Sequence, residues 1–214
     1  MRLCMAKHGM TTREEAAEQL KIIRTMMERA TIFRALSGET ALIGGAAALA
    51  AAWLSEGRTG WAWAVWWLGG LLLVTVFNVI QINRTSSAHH KPFWSVGLKL
   101  ALRGAIPSII SGGFLGLLFV RSGSDVPAAC LWILHYGLAL LAIREFAPKS
   151  MTWLGWAFVV FGVSTLAGFS NVVKIFSQWM VGVNGSHLMA IAFGGFHIIY
   201  GGVILTTNRH DEGH

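Results

Sequence analysis

Apolar residues in this chain do not alternate with polar ones. They run on for about the thickness of a bilayer, break, and run on again. Six such stretches stand out, at 38–55, 61–82, 100–120, 126–143, 151–173 and 187–207. About 17–25 apolar residues cross a hydrocarbon core as a helix. Backbone polar groups in lipid must be satisfied within the segment, which predicts helices. A transmembrane barrel would need ten-residue strands of alternating polarity, and these runs lack that alternation. The expected fold is therefore an all-α integral membrane protein, a bundle of six transmembrane helices. The first stretch is the weakest, being rich in Ala and Gly with a short uninterrupted core. The segment KIFSQWMVGVNGS (174–186) is too polar and Gly-broken to span, and reads as an interfacial turn.

Residues 1–37 form a different kind of segment. Thr11 or Thr12 with Glu14 or Glu15 makes a capping box, and Leu20, Ile23, Met27 and Ala30 recur at helical spacing. Arg24 and Glu28 are an i,i+4 pair. The pattern predicts an amphipathic helix over 11–36 lying outside the hydrocarbon, on the membrane surface, under the bundle or against a partner. The first ten residues lack an apolar core, so no cleavable signal peptide is expected.

Charge orients the bundle. Fourteen of the seventeen Lys and Arg residues fall in the N-terminal segment, in alternate loops (around Arg84–Arg103 and Arg144–Lys149) and in the tail from 208 to 214. Only Arg58, Arg121 and Lys174 fall on the other side. Basic loops stay cytoplasmic, so both termini are expected inside, in a bacterial-type inner membrane. Ten Trp residues crowd the ends of the stretches, and aromatic belts at the two interfaces account for them.

Composition agrees: 54% of the 214 residues are hydrophobic, 13% are charged, and the mean hydropathy is +0.57. A soluble domain carries about 25% charged residues. Net charge +7 does not predict nucleic-acid binding, because the basic residues flank spans instead of forming one free surface. Two cysteines, Cys4 and Cys130, give neither a disulfide framework nor a CxxC motif.

Small residues mark helix seams. Gly104, Ser108, Gly112 and Gly116 recur every fourth position in the third stretch, a stripe that predicts close packing within the bundle or across a homo-oligomer. The doublets Gly44-Gly45, Gly69-Gly70, Gly194-Gly195 and Gly201-Gly202 suggest the same use. LGGLLLVTVFNVIQINR (68–84) and FGGFHIIYGGVILTTNR (193–209) share Gly-Gly and Asn-Arg at equal spacing, the mark of a weak parallel repeat.

Candidate chemistry is sparse. His135 and His197 sit at the centres of the fourth and sixth stretches, which run in the same direction. Ionisable groups inside a membrane are functional candidates. If the two imidazoles face each other they can ligate one haem b; with Tyr136 or Tyr200 they can relay protons or contact a quinone. The plainer reading gives each a hydrogen bond within the bundle. Toward the basic side, Glu39, Arg103, Asn78, Gln81 and Asn83 form a polar cluster that reads as the inner mouth of a solute pathway, with Glu39 and Arg103 as an ion pair, or as helix-end capping. His89 and His90 in the loop RTSSAHHKPFW (84–94) have no further convincing metal ligands.

The chain has no HExxH, GxSxG or Walker motif. The sequence therefore points to a non-enzymatic membrane protein, an accessory subunit or small permease-like protein. A redox protein using His135 and His197 is the alternative. A sensor working through the N-terminal helix comes third.

Overall fold

The computed structural model describes residues 16–17, 19–20, 38–88, 96–170, 172, 178 and 181–211. The expected N-terminal helix lies outside the described residues except for residues 16–17 and 19–20, which are helical and exposed. The His89–His90 loop, Trp94, Trp179 and most of 174–180 also lie outside them.

The described residues are predominantly helical and contain no strand. Its elements are α1 (Gly38–Ser55), α2 (Gly60–Ala88), α3 (Val96–Arg121), α4 (Asp125–Ala142), a 3-10 turn (Arg144–Phe146), α5 (Lys149–Phe169), α6 (Gly185–Met189), a π-helical stretch (Ala190–Phe196) and α7 (His197–Asp211). From α6 to α7 the chain is one continuous rod. Five helices, α2 to α5 and this rod, are long and apolar enough to cross a membrane. The first stretch does form a helix over the expected residues, but α1 is not among the five. Seven of its eighteen residues are Ala, and its first turn carries Glu39 and Thr40.

What α1 lacks in apolar bulk it returns in close packing. Gly38 and Gly45 lie two turns apart on one face of α1, and Gly194 and Gly201 lie two turns apart on the rod. A methyl group added at Gly38 would sit 2.8 Å from the Gly201 carbonyl, and one at Gly45 would sit 3.1 Å from the Gly194 carbonyl. The two helices therefore run antiparallel with glycine against glycine. In the doublets only one member faces this seam: Gly195 and Gly202 have open space where a side chain would go. Glycine also closes the turns. Gly60 and Gly123 take positive φ values of 56° and 77°, which a side chain would strain. The two turns stack, with the Cα of Gly123 3.5 Å from where a Gly60 Cβ would lie.

A second layer is α3–α4–α5. Gly104 approaches Ala142, Gly112 faces His135, and Gly116 faces Trp132. Within the chain, the small-residue stripe of α3 thus packs against α4. Gly137 and Gly162 let α5 and α4 meet in the same way, at Phe158 and at the backbone of Leu134. The shared core holds Trp63, Val120, Cys130, Ile133 and Phe158, all fully buried. By contrast α2 is nearly bare: 6% of its span is buried, and Leu71, Leu72, Leu73, Val76, Val79 and Ile80 are exposed.

The two stretches that suggested a repeat differ in use. Gly69 of α2 faces open space, whereas the equivalent Gly194 abuts Leu49. The first copy is regular α-helix and the second begins in the π-helical stretch.

Candidate functional site

Two polar centres lie along the rod, and they are built differently. The first is a knot at the Ser55 end of the bundle. The Nε1–H of Trp63 donates to Ser186 Oγ at 3.0 Å, and that of Trp67 donates to Ser55 Oγ at 3.1 Å. The two hydroxyls are 2.7 Å apart, and Ser55 Oγ also donates to the Ala52 carbonyl at 3.2 Å. If Ser186 donates to Ser55, every proton in the knot has an acceptor. Trp132 stacks on Trp63 with centroids 5.3 Å apart and planes at 14°.

This knot corrects the belt reading for two tryptophans. Trp63 is 0% exposed and Trp67 6%, so both are interior joints. Trp53, Trp61, Trp66, Trp153 and Trp156 are exposed, as belt residues should be. Just beyond the knot, Asn184 caps α6 by accepting from the His187 N–H at 2.9 Å and donates to Glu56 Oε1 at 2.8 Å. The Gly185 N–H donates to Asp125 Oδ2 at 2.8 Å. These bonds tie the start of the rod to the α1–α2 turn and to the start of α4.

The second centre lies halfway along. Tyr136 of α4 and His197 of α7 share a hydrogen bond of 2.9 Å between Oη and Nε2. Aromatic rings enclose the pair. Phe193 stacks on the imidazole with planes at 11° and centroids 6.1 Å apart, and the Phe158 ring meets it edge-on at 5.5 Å. Tyr136 in turn touches Phe158 and Phe193. One turn further along α7, Tyr200 Oη lies 3.5 Å from Ser150 Oγ of α5. The π-helical stretch ends immediately before His197. Wide turns of this kind recur at functional sites, and here the stretch precedes an α7 that turns Gly201 to α1 while His197 reaches Tyr136.

His135 does not join this centre. Neighbouring residues on a helix point about 100° apart. With Tyr136 directed at His197, His135 is directed at α3, where it lies over Gly112. Its Nδ1 is 2.9 Å from the Leu131 carbonyl, one turn back. The facing pair that a bis-histidine haem b requires is therefore not assembled, and the haem reading is withdrawn on that geometry. His135 takes the plainer role of a histidine satisfied within the bundle.

The polar cluster near the other end also fails to converge. Glu39 and Arg103 are exposed on α1 and α3 and form no ion pair among the described residues. The physical reason is that α1 packs on α2 and the rod, whereas α3 packs on α4. Asn83 is exposed and Gln81 half-buried. Asn78 keeps a buried Oδ1 that has no hydrogen-bond partner.

Of the residues singled out in the sequence, Tyr136 and His197 are brought together and Tyr200 lies one turn on, whereas the knot was not among them. A signal for it existed. Trp63 and Trp67 are four residues apart on one helix face, and a buried indole needs an acceptor for its N–H. Ser55 ends the first stretch and Ser186 immediately precedes the sixth. No protein-family model, curated protein or solved structure matches the chain.

Proposed function

We propose that this is a six-span integral membrane protein, with both termini on the cytoplasmic side of an inner membrane, acting as a non-catalytic accessory subunit of a membrane assembly. Support for the sixth span comes from α1's partner. Gly38 lies opposite Gly201, and Ser55 opposite Ser186, so α1 runs alongside the membrane-long rod for its full eighteen residues. At 1.5 Å per residue that is about 27 Å, close to the thickness of the hydrocarbon core. The distribution of Lys and Arg supports the orientation.

The observation that carries the subunit reading is the contrast between a filled interior and a bare α2. Bulky side chains occupy the bundle core, and the polar residues of the expected mouth do not share a vestibule, which disfavours the permease reading. Beyond Trp67, α2 meanwhile offers the apolar run 71–80 to its surroundings. Helices associate in lipid through packing and hydrogen bonds, and α2 is the helix free to do so.

A photo-crosslinking amino acid at Leu72 or Val76, in native membranes, tests this. An adduct of one discrete mass with another polypeptide is expected, with none from the same probe at the buried Ile133. Adducts to lipid alone would refute the subunit reading. An adduct of twice the chain mass would replace it with a homo-oligomer.

A further inference from the structure

We propose that the wedge between α7 and the α4–α5 pair, at the level of His197, binds an apolar molecule through a carbonyl oxygen, as a quinone ring presents one. The inference is independent of the subunit reading. It begins with an unmatched atom. His197 Nδ1 is buried and has no hydrogen-bond partner. The Phe193 carbonyl, one turn back, lies near this nitrogen but does not meet hydrogen-bond geometry. His135 shows the ordinary solution, bonding the carbonyl one turn back at 2.9 Å. His197 follows the π-helical stretch and meets its own carbonyl one turn back only in poor alignment.

Counting protons says what the atom wants. If Tyr136 donates to Nε2, the imidazole proton sits on Nδ1 and one donor is left over. If Nε2 donates to Tyr136 instead, the phenol proton is left over and Nδ1 is an unmatched acceptor as well. The first arrangement leaves fewer groups unsatisfied and is the more stable. His197 Nδ1–H is then a buried donor awaiting an acceptor. Buried polar groups are nearly always paired, so an orphan of this kind calls for a partner.

The surroundings say what brings the acceptor. At this level α7 packs on α1 and meets α4 and α5 only through side chains. The wedge is bridged by long side chains, Tyr136 to His197 and Tyr200 to Ser150. Phe193, Phe196, His197 and Tyr200 are each only half-buried, so this aromatic group reaches the outer surface of the bundle. In the proposed membrane that surface faces lipid. Ligand sites of this type combine aromatic walls with one or two placed polar groups. A flat ring carrying a carbonyl matches both features: a face to stack on Phe196 or Tyr200 and an acceptor for Nδ1. A phospholipid ester carbonyl offers the same acceptor without the ring.

The test uses the full chain purified in mild detergent and a decyl-substituted benzoquinone as probe. Quenching of tryptophan fluorescence should be saturable, and His197→Phe should weaken the affinity at least tenfold, about 1.4 kcal/mol. The infrared carbonyl band of the bound probe should fall in frequency relative to the probe in detergent alone, a readout that needs no variant. If the quinone does not bind, but wild-type protein retains a phospholipid that His197→Phe loses, the carbonyl site stands with lipid as its ligand. An unshifted carbonyl band, equal affinity in His197→Phe, or neither ligand retained would each overturn the proposal.

Discussion

The knot at Ser55 and the centre at His197 lie on the same rod, each joins it to other helices, and each combines hydroxyls with aromatic rings. They differ in whether their hydrogen bonds close. In the knot, four side chains have an acceptor for every proton, and all four are at most 6% exposed. In the centre, one nitrogen is left over and the rings are half-open. A closed network fixes geometry and costs most when a member is removed, because the remaining members are stranded in a low dielectric. An open one costs less to alter and has capacity to spare for a ligand. The contrast separates a structural joint from a working site more clearly than residue type does.

Variants should rank accordingly. Gly201→Leu strikes beneath both regions, since its side chain would meet the Gly38 carbonyl 2.6 Å from the new Cβ. It should cost about 3 kcal/mol or more, as overpacking does, and abolish the monodisperse peak in detergent. Gly202→Leu, with nothing in its way, should leave that peak intact. Ser186→Val is next: it strands the Trp63 indole N–H and removes the bond to Ser55, for about 2 kcal/mol, read as a lower thermal midpoint. Tyr136→Phe should cost about 0.6 kcal/mol, the average for hydrogen bonds inside membrane proteins. If Tyr136→Phe proved as damaging as Ser186→Val, the distinction between joint and site would fail. Glu56→Gln should have the smallest effect, below about 0.5 kcal/mol, because its contacts to Asn184 and His187 are half in solvent.

The helices were legible in the sequence because lipid imposes a length on them. The stretches at 38–55 and 126–143 became Gly38–Ser55 and Asp125–Ala142. Rotation about each helix axis was not legible, nor was which helices pack together, and the misplaced residues trace to one or the other. Depth put His135 and His197 at matching heights, but only rotation decides that Tyr136, and not its neighbour, meets His197. Depth likewise sent Trp63 and Trp67 to an aromatic belt, whereas rotation turns both inward. The stripe of Gly104, Gly112 and Gly116 faces α4, but spacing cannot say whether the partner is α4 or a second copy. Lone serines such as Ser55 and Ser186 carry no periodic signal at all.

The glycine seam also bears on how the protein is made. Ser55 and Ser186 are 131 residues apart. During synthesis α1 leaves the ribosome long before the helix it fits, and it is not among the five helices long and apolar enough to cross a membrane. Until that partner arrives, α1 has neither the greasy surface to settle in lipid on its own nor its glycine counterpart. The hairpins between them are complete first, so closure of the bundle is a late event, set by translation of residues 185–211.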